Sequence, residues 1–458
     1  MELFNQEKTI FMDGGMGTML QARGLQAGQA PDLWNITHPQ EVEAVHRAYL
    51  EAGSQWISTN TFGTNAKKLA QTGESVSRVV TAAVACAKRA AQGYNAKILL
   101  DVGPLGTMLE PMGTLPFEEA YRLFQEVVRE GEKAGVDGVL FETMTDLYEV
   151  RAAVLAAKEN TSLPVWVSMS FESNGRTFCG TPVQAFALTA QGLGVDAVGI
   201  NCSLGPNEIL PMAKTLSEST DLPVFIKANA GLPDPSTGEY SLQAEEYAQQ
   251  MKAYLPLSLA AVGGCCGTTP DYIRALTQVF SDKKPEKASI VKKSFVCSGM
   301  NVVEIDGLTV IGERINPTGK PRMKEALRAH SMDFLMRQAV EQTEAGAQIL
   351  DVNVGLPGID EAEMMVKAVK AVQSVTELPL QLDSTKAEVL EAGLRVYNGK
   401  PIVNSVNAED KVLKEILPLC KKYGAAVVGL TLDESGIPNE AEKRFALAEK
   451  IVRTAEEY

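Results

Sequence analysis

Short apolar runs along this chain alternate with longer stretches in which apolar residues recur every third or fourth position. Runs of the first kind predict buried strands, and stretches of the second kind predict amphipathic helices. In the first part of the chain, strand candidates end near Asp13, Asn60, Gly103, Glu142, Phe171, Asn201, Asn229 and Gly264. Helical patterns such as Pro39–Ala52, Val76–Ala91, Phe117–Ala134 and Tyr148–Lys158 lie between them. Eight strand–helix units in roughly 280 residues match the size of a (β/α)8 barrel. A doubly wound open sheet fits less well, because no Gly-x-Gly-x-x-Gly turn follows a strand candidate.

Beyond this the texture changes. Lys283, Lys284, Lys287, Lys292 and Lys293 gather around Pro285 with few apolar neighbours, which reads as a linker. The alternation then resumes. Strand candidates end near Arg314, Asn353, Ser384, Asn404 and Leu432, and helical patterns cover Met332–Ala345, Ala362–Ser374, Ala387–Val396, Lys411–Lys422 and Asn439–Glu456. The expected α/β architecture is two tandem (β/α)8 barrels of the TIM type. The first covers residues 1–282, a linker covers 283–304, and the second covers 305–458. With about five of eight units, the second barrel is expected to be truncated.

A chain of 458 residues suits two domains. No run approaches the roughly 18 apolar residues of a membrane span, and Met1–Lys8 lacks the basic and apolar regions of a secretory signal. A cytoplasmic location is expected, where thiols stay reduced, and seven cysteines, an odd number, argue against a disulfide framework. A net charge of −14 disfavours nucleic acid and anionic membranes as partners.

The candidate chemistry lies in three cysteines. Cys202 closes the run Gly199-Ile200-Asn201-Cys202, and the pair Cys265-Cys266 sits within Gly263-Gly264-Cys265-Cys266-Gly267. Each motif follows a strand candidate, and in a parallel barrel the carboxyl ends of the strands converge on one mouth. Adjacent strand residues face opposite ways, so both members of a vicinal pair reach one ion only if the backbone leaves the regular strand. The flanking glycines are expected to permit that. Three thiolates suit zinc and leave one tetrahedral corner open. The histidines, His38, His46 and His330, lie far from these motifs, so the site is expected to be all-sulfur. A thiol entering the open corner would be deprotonated there, whereas a free thiol with a pKa near 8.5 is mostly protonated at neutral pH. Cys86, Cys179, Cys297 and Cys420 lack such glycine neighbours and read as packing residues.

These motifs, with Asp13-Gly14-Gly15-Met16-Gly17-Thr18 and Asn60-Thr61-Phe62-Gly63, resemble the homocysteine-binding domain of the homocysteine S-methyltransferases over residues 1 to about 280. The resemblance implies that Cys202, Cys265 and Cys266 are the metal-binding and catalytic cysteines. Zinc is the implied metal, with homocysteine sulfur in the fourth position. Asp13 and Glu142 match the acids near the substrate amino group, and the Gly14–Thr18 turn offers backbone N–H groups to the carboxylate. Asn229 matches an asparagine that can approach the metal when substrate is absent, and Asn60 is a weaker rim candidate.

In the second half, polar residues end successive apolar runs at Ile311-Gly312-Glu313-Arg314-Ile315-Asn316, Asp351-Val352-Asn353, Leu382-Asp383-Ser384 and Val403-Asn404-Ser405. A reduced pterin presents a row of N–H donors and one carbonyl, which carboxylates and asparagine amides can match. Helix capping is the plainer explanation for any single one. Together they resemble the pterin-binding barrel of the cobalamin-dependent methionine synthases. Glu313, Asp383 and Asn404 are the implied pterin contacts, and Asn316, Asp351 and Asn353 are rim candidates. The chain departs from that family in ending before its later barrel strands and in lacking an Asp-x-His-x-x-Gly cobalamin motif. Cobalamin is therefore expected from a cobalamin-binding domain or protein beyond this chain. The implied reaction is methyl transfer from 5-methyltetrahydrofolate to homocysteine through cobalamin. The alternatives are a cobalamin-independent methyltransferase using a sulfonium or betaine donor, and a non-catalytic zinc- or folate-binding module. A fused folate reductase is disfavoured, since no flavin motif is evident.

Overall fold

In a computed structural model the chain divides into two compact units, one of Met1–Ala190 with Val195–Ile290 and one of Gln191–Gly194 with Val291–Tyr458. The structure describes residues 8–234, 238, 240–281 and 293–458. Residues 1–7 and most of the lysine-rich stretch around Pro285 lie outside the described residues.

The first unit contains eight parallel strands: β1 (Ile10–Phe11), β2 (Trp56–Ser58), β3 (Lys97–Val102), β4 (Gly138–Met144), β5 (Val165–Met169), β6 (Ala197–Asn201), β7 (Val224–Ala228) and β8 (Ala261–Gly264). They follow one another around the sheet, and β1 pairs with β8. A parallel bridge from Met12 to Trp56 joins β1 to β2 and closes the ring. The doubly wound alternative is thereby excluded. Strands buried on both faces read as continuous apolar runs, which is why the sequence pattern exposed them. Each strand contributes to one buried cluster of Ile10, Met12, Trp56, Leu99, Leu140, Trp166, Ala197, Phe225 and Ala261. Large and small side chains sit opposite one another there: Trp166 is in register with Ala197, and Phe225 with Ala261. The Trp56 and Trp166 rings pack at a tilt of 33° with centroids 4.3 Å apart.

The outer helices carry ordinary start and stop signals. Glu118 and Glu119 lie in the first turn of Phe117–Ala134, and Gly135 ends it with φ of +79°. His46, in the helix Pro39–Glu51, is fully buried and neither ring nitrogen has a hydrogen-bond partner among the described residues. Burial pushes its pKa from 6.5 down to about 4. Between these values the unfolded chain binds a proton that the folded chain refuses, so stability falls as pH drops from about 6.5 to 4. The loss amounts to about 3 kcal/mol. His46→Leu is expected to remove that slope, which denaturation midpoints at pH 7 and pH 5 would reveal.

The second unit has a five-stranded parallel sheet in the order β11 (Ile311–Ile315), β12 (Ile349–Asn353), β13 (Leu380–Asp383), β15 (Ile402–Asn407) and β16 (Ala426–Leu430). The expected linker is corrected here. Residues 295–304 form an antiparallel hairpin, β9 (Phe295–Ser298) with β10 (Val302–Glu304), to which β14 (Gly399–Lys400) adds a third strand. Val296 and Val303 pack with Ile349 and Ile402, the first residues of β12 and β15. This apolar contact, close to the lysines in sequence, makes the segment part of the domain.

Candidate metal and substrate site

Cys202, Cys265 and Cys266 come together at the carboxyl ends of β6 and β8, with all three Sγ atoms within 4.8 Å of one another. The Sγ atoms of Cys202 and Cys266 are 3.8 Å apart. The unusual backbone lies chiefly on the β6 side. Cys202 and Ser203 adopt φ of +63° and +58°, a left-handed turn that costs energy for non-glycine residues. Lys227 O accepts from Cys202 N (3.1 Å), which anchors the turn to β7. The vicinal pair stays tied to the continuation of β7: Cys265 N donates to Ala228 O (2.9 Å), and Cys266 N to Asn229 Oδ1 (3.1 Å).

The expected role of the flanking glycines needs correction. Gly263 and Gly264 do not have positive φ; they are small because neighbours are close. A Cβ on Gly264 would lie 2.2 Å from Thr268 Oγ1, and one on Gly263 would lie 2.7 Å from Asp13 O. Thr268 Oγ1 donates to Cys265 O (2.7 Å) and accepts from Gly15 N (3.2 Å), so the close packing fixes the first cysteine. Gly267 alone of the three is left-handed, with φ of +78°, and the Tyr240 ring packs against it.

Without a cation the three sulfurs are poor anions. For Cys202, the hydrogen bond with Cys265 lowers the pKa, but that with Cys266 and burial push it up to about 12. Cys266 is also pushed up to about 12: its hydrogen bond with Cys202 lowers the value, while that with Cys265 and burial outweigh it. Such a cluster becomes a thiolate donor set only around a positive ion.

A cavity of about 460 Å³ adjoins the sulfurs and is also lined by Asp13, Asp101, Glu142 and Lys227. Lys227 Nζ donates to Glu142 Oε2 at 2.8 Å and lies 3.5 Å from Asp13 Oδ1. Asp13 also accepts from Ser58 N (2.7 Å) and Ser58 Oγ (3.2 Å). Burial raises the Asp13 carboxyl against the opposing pull of Lys227. Burial lowers Lys227, but Glu142 and Asp13 outweigh it and hold the ammonium well above its usual range. Glu142 lies within β4 and is ion-paired to Lys227. Gly14 packs beneath Thr268 and Tyr49, and the helix Met16–Gln21 starts at the cavity wall.

Asn229 holds the Cys266 amide, as described, and Asn60 is a framework residue. Its Nδ2 donates to Pro31 O (2.8 Å) and Asn35 Oδ1 (3.3 Å). Sequence reasoning passed over Lys227, Asp101, Asn201 and Tyr240. Asn201 Oδ1 accepts from Thr143 N and Ser168 Oγ, both at 2.8 Å, tying β4, β5 and β6 together beneath the sulfurs. The available signal was a single charge in an otherwise apolar strand, as in Val224-Phe225-Ile226-Lys227-Ala228.

In the second unit, parallel register sets Asn353, Asp383 and Asn404 side by side at the strand ends. Asn353 Nδ2 donates to Asp383 Oδ2 (2.9 Å), and its Oδ1 accepts from Gly355 N (2.8 Å). Asp351 is buried and accepts from Gln381 Nε2 (2.6 Å); burial pushes its carboxyl up to about 6. The Gln381 and Asn404 amides oppose that rise in part. Glu313 is exposed and faces Lys320 at 3.2 Å. Asn316 is used locally, with Oδ1 accepting from Thr318 N (2.9 Å).

Comparison with known proteins fits this arrangement. The pterin-binding enzyme family model matches residues 312–458. A methionine synthase of Mycobacterium tuberculosis is 32% identical over 97% of this chain and 40% of its own length. A methionine synthase of Mycobacterium leprae gives the same identity and coverage. The chain thus spans about two fifths of the length of these curated relatives. Among solved structures, the metallated homocysteine methyltransferase MmuM of Escherichia coli covers 60% of this chain and 98% of its own. It aligns with a TM-score of 0.53 at 22% identity, a likeness of fold. The homocysteine S-methyltransferase family model matches residues 10–280, more than half of the chain, and the protein belongs to that family.

Proposed function

We propose that the first unit binds zinc and homocysteine, that the second binds 5-methyltetrahydrofolate, and that together they serve methionine formation with cobalamin as methyl carrier. Three convergent sulfurs beside an acid-lined cavity carry this reading. Tetrahedral zinc with Zn–S bonds of about 2.3 Å places sulfurs roughly 3.8 Å apart. The Cys202–Cys266 separation fits that spacing. When bound, zinc would supply a Lewis-acidic corner at which a substrate thiol is held as the nucleophilic thiolate.

The protein's own residues do the rest. Cys202, Cys265 and Cys266 hold the ion. Asp13 and Glu142, already drawn to Lys227, receive the substrate ammonium, and the amides of the Gly14–Thr18 turn receive its carboxylate. In the second unit Glu313, Asp383 and Asn404 contact the pterin, with Asn316, Asp351 and Asn353 at the rim. Cobalamin would come from a separate domain or protein able to reach both mouths.

The zinc-loaded chain is expected to form methionine from homocysteine and added methylcobalamin. It is expected to form none from a sulfonium or betaine donor without cobalamin. Turnover with those donors would favour the cobalamin-independent reading. Binding without turnover in either mixture would leave a non-catalytic module.

A further inference from the structure

Four carboxyl groups, on Asp13, Asp32, Asp101 and Glu142, line one cavity beside one cation, Lys227. Lys227 reaches Asp13 and Glu142. Asp101, in β3, is 7% exposed. Among the described residues it makes no ion pair, and its Oδ1 is buried without a hydrogen-bond partner. Its backbone is firmly held: Asp101 N donates to Thr59 Oγ1 (3.1 Å), and its carbonyl accepts from Thr61 Oγ1 (2.6 Å). A fixed, buried, unpaired carboxyl is costly as an anion unless a cation arrives.

We infer that Asp101 is a third substrate-ammonium ligand, neutral in the free protein and ionised when an α-amino acid thiol enters the cavity. This rests on the homocysteine reading above. The groups acting on Asp101 are Glu142 from β4, Lys227 from β7, Asp13 from the end of β1, and Asp32. Burial, with Glu142 adding repulsion, raises the Asp101 carboxyl well above its usual range, and Lys227 offsets this only in part. Asp32 is satisfied by Gly63 N (2.9 Å) and Thr64 Oγ1 (2.7 Å), so it does not compete for the ammonium. On binding, the Asp101 O–H bond breaks, the proton leaves to solvent, and the carboxylate pairs with the incoming ammonium.

The test compares homocysteine with 4-mercaptobutyrate, which has the same thiol and carboxylate but no amino group. Calorimetry in buffers of different ionisation enthalpy counts the protons released by the zinc-loaded full chain. Wild type is expected to release about one more proton with homocysteine than with the analogue, and Asp101→Asn to abolish the difference. Asp101→Asn is also expected to weaken homocysteine by about 10- to 100-fold, the weight of one hydrogen bond to a charged group. Binding of 4-mercaptobutyrate should be unchanged, which also shows that the variant is folded. Equal weakening of both ligands, or an unchanged proton count, overturns the assignment. If wild type binds neither thiol, the homocysteine reading itself fails, and the inference falls with it.

Discussion

A Cys265→Ser chain is expected to lose its zinc and its methyl transfer together. The argument is one of donor chemistry. A serine hydroxyl is a hard, weakly acidic oxygen, and zinc in an all-sulfur site selects soft thiolates. Removing groups that merely orient a metal ligand costs 10- to 100-fold in affinity or activity. Removing a ligand itself should exceed about 100-fold in metal affinity. Cys265 is also bound to its surroundings through Ala228 O and Thr268 Oγ1, so the exchange of one atom leaves the loop in place. Cys86→Ser is the matched control. That cysteine is buried on the helix Val76–Ala90, away from the cluster, and its replacement should leave metal content intact. Metal analysis of both variants, with methionine formation from methylcobalamin, checks the expectation. Full turnover by a zinc-free Cys265→Ser chain would refute the site assignment.

The second large effect concerns folding. Lys227→Met is expected to destabilise the first unit by about 3–5 kcal/mol, because removing one partner of a buried ion pair strands the other. Here Asp13 and Glu142 would both remain without their shared cation. The defect has a definite pH dependence. Burial already raises the Asp13 carboxyl against the pull of Lys227, and without the lysine its protonated form folds without a charge penalty. The penalty is absent below the usual carboxylate range and grows as pH rises through it toward neutrality. Wild type and Lys227→Met should therefore draw together near pH 4 and separate near pH 7 in urea denaturation. A constant gap across that range would mean that the lysine acts by packing its aliphatic stem alone.

The barrel was legible because parallel strands buried on both faces leave continuous apolar runs, and the intervening helices leave a different period. The cysteine site was legible for a related reason: a vicinal pair among glycines has no use in a regular strand. The mechanism by which the pair turns inward was not. Gly263 and Gly264 give room to Thr268 and Asp13, while the strained backbone belongs to Cys202 and Ser203. Left-handed conformation at a non-glycine residue leaves no trace in composition. Lys227 and Asp101 escaped notice because a lone charge near the end of an apolar run resembles the start of a loop. Their meaning comes from strands far apart in sequence, brought together by closure of the ring. The hairpin at residues 295–304 was obscured by the lysines before it, although Phe295-Val296-Cys297 is apolar. Register across β12, β13 and β15 gathered Asn353, Asp383 and Asn404, whereas Asn316 is consumed by its own turn.

The paired indoles in the first barrel have a practical corollary. Trp34, Trp56 and Trp166 are the chain's three tryptophans, and all are buried in the first unit. Indole emission is therefore an optical reporter confined to one half of the polypeptide. Far-ultraviolet dichroism registers helices and strands of both halves. Melting curves followed by the two signals coincide only if the halves lose order together; a spread between them resolves two separate transitions without cutting the chain or attaching a dye.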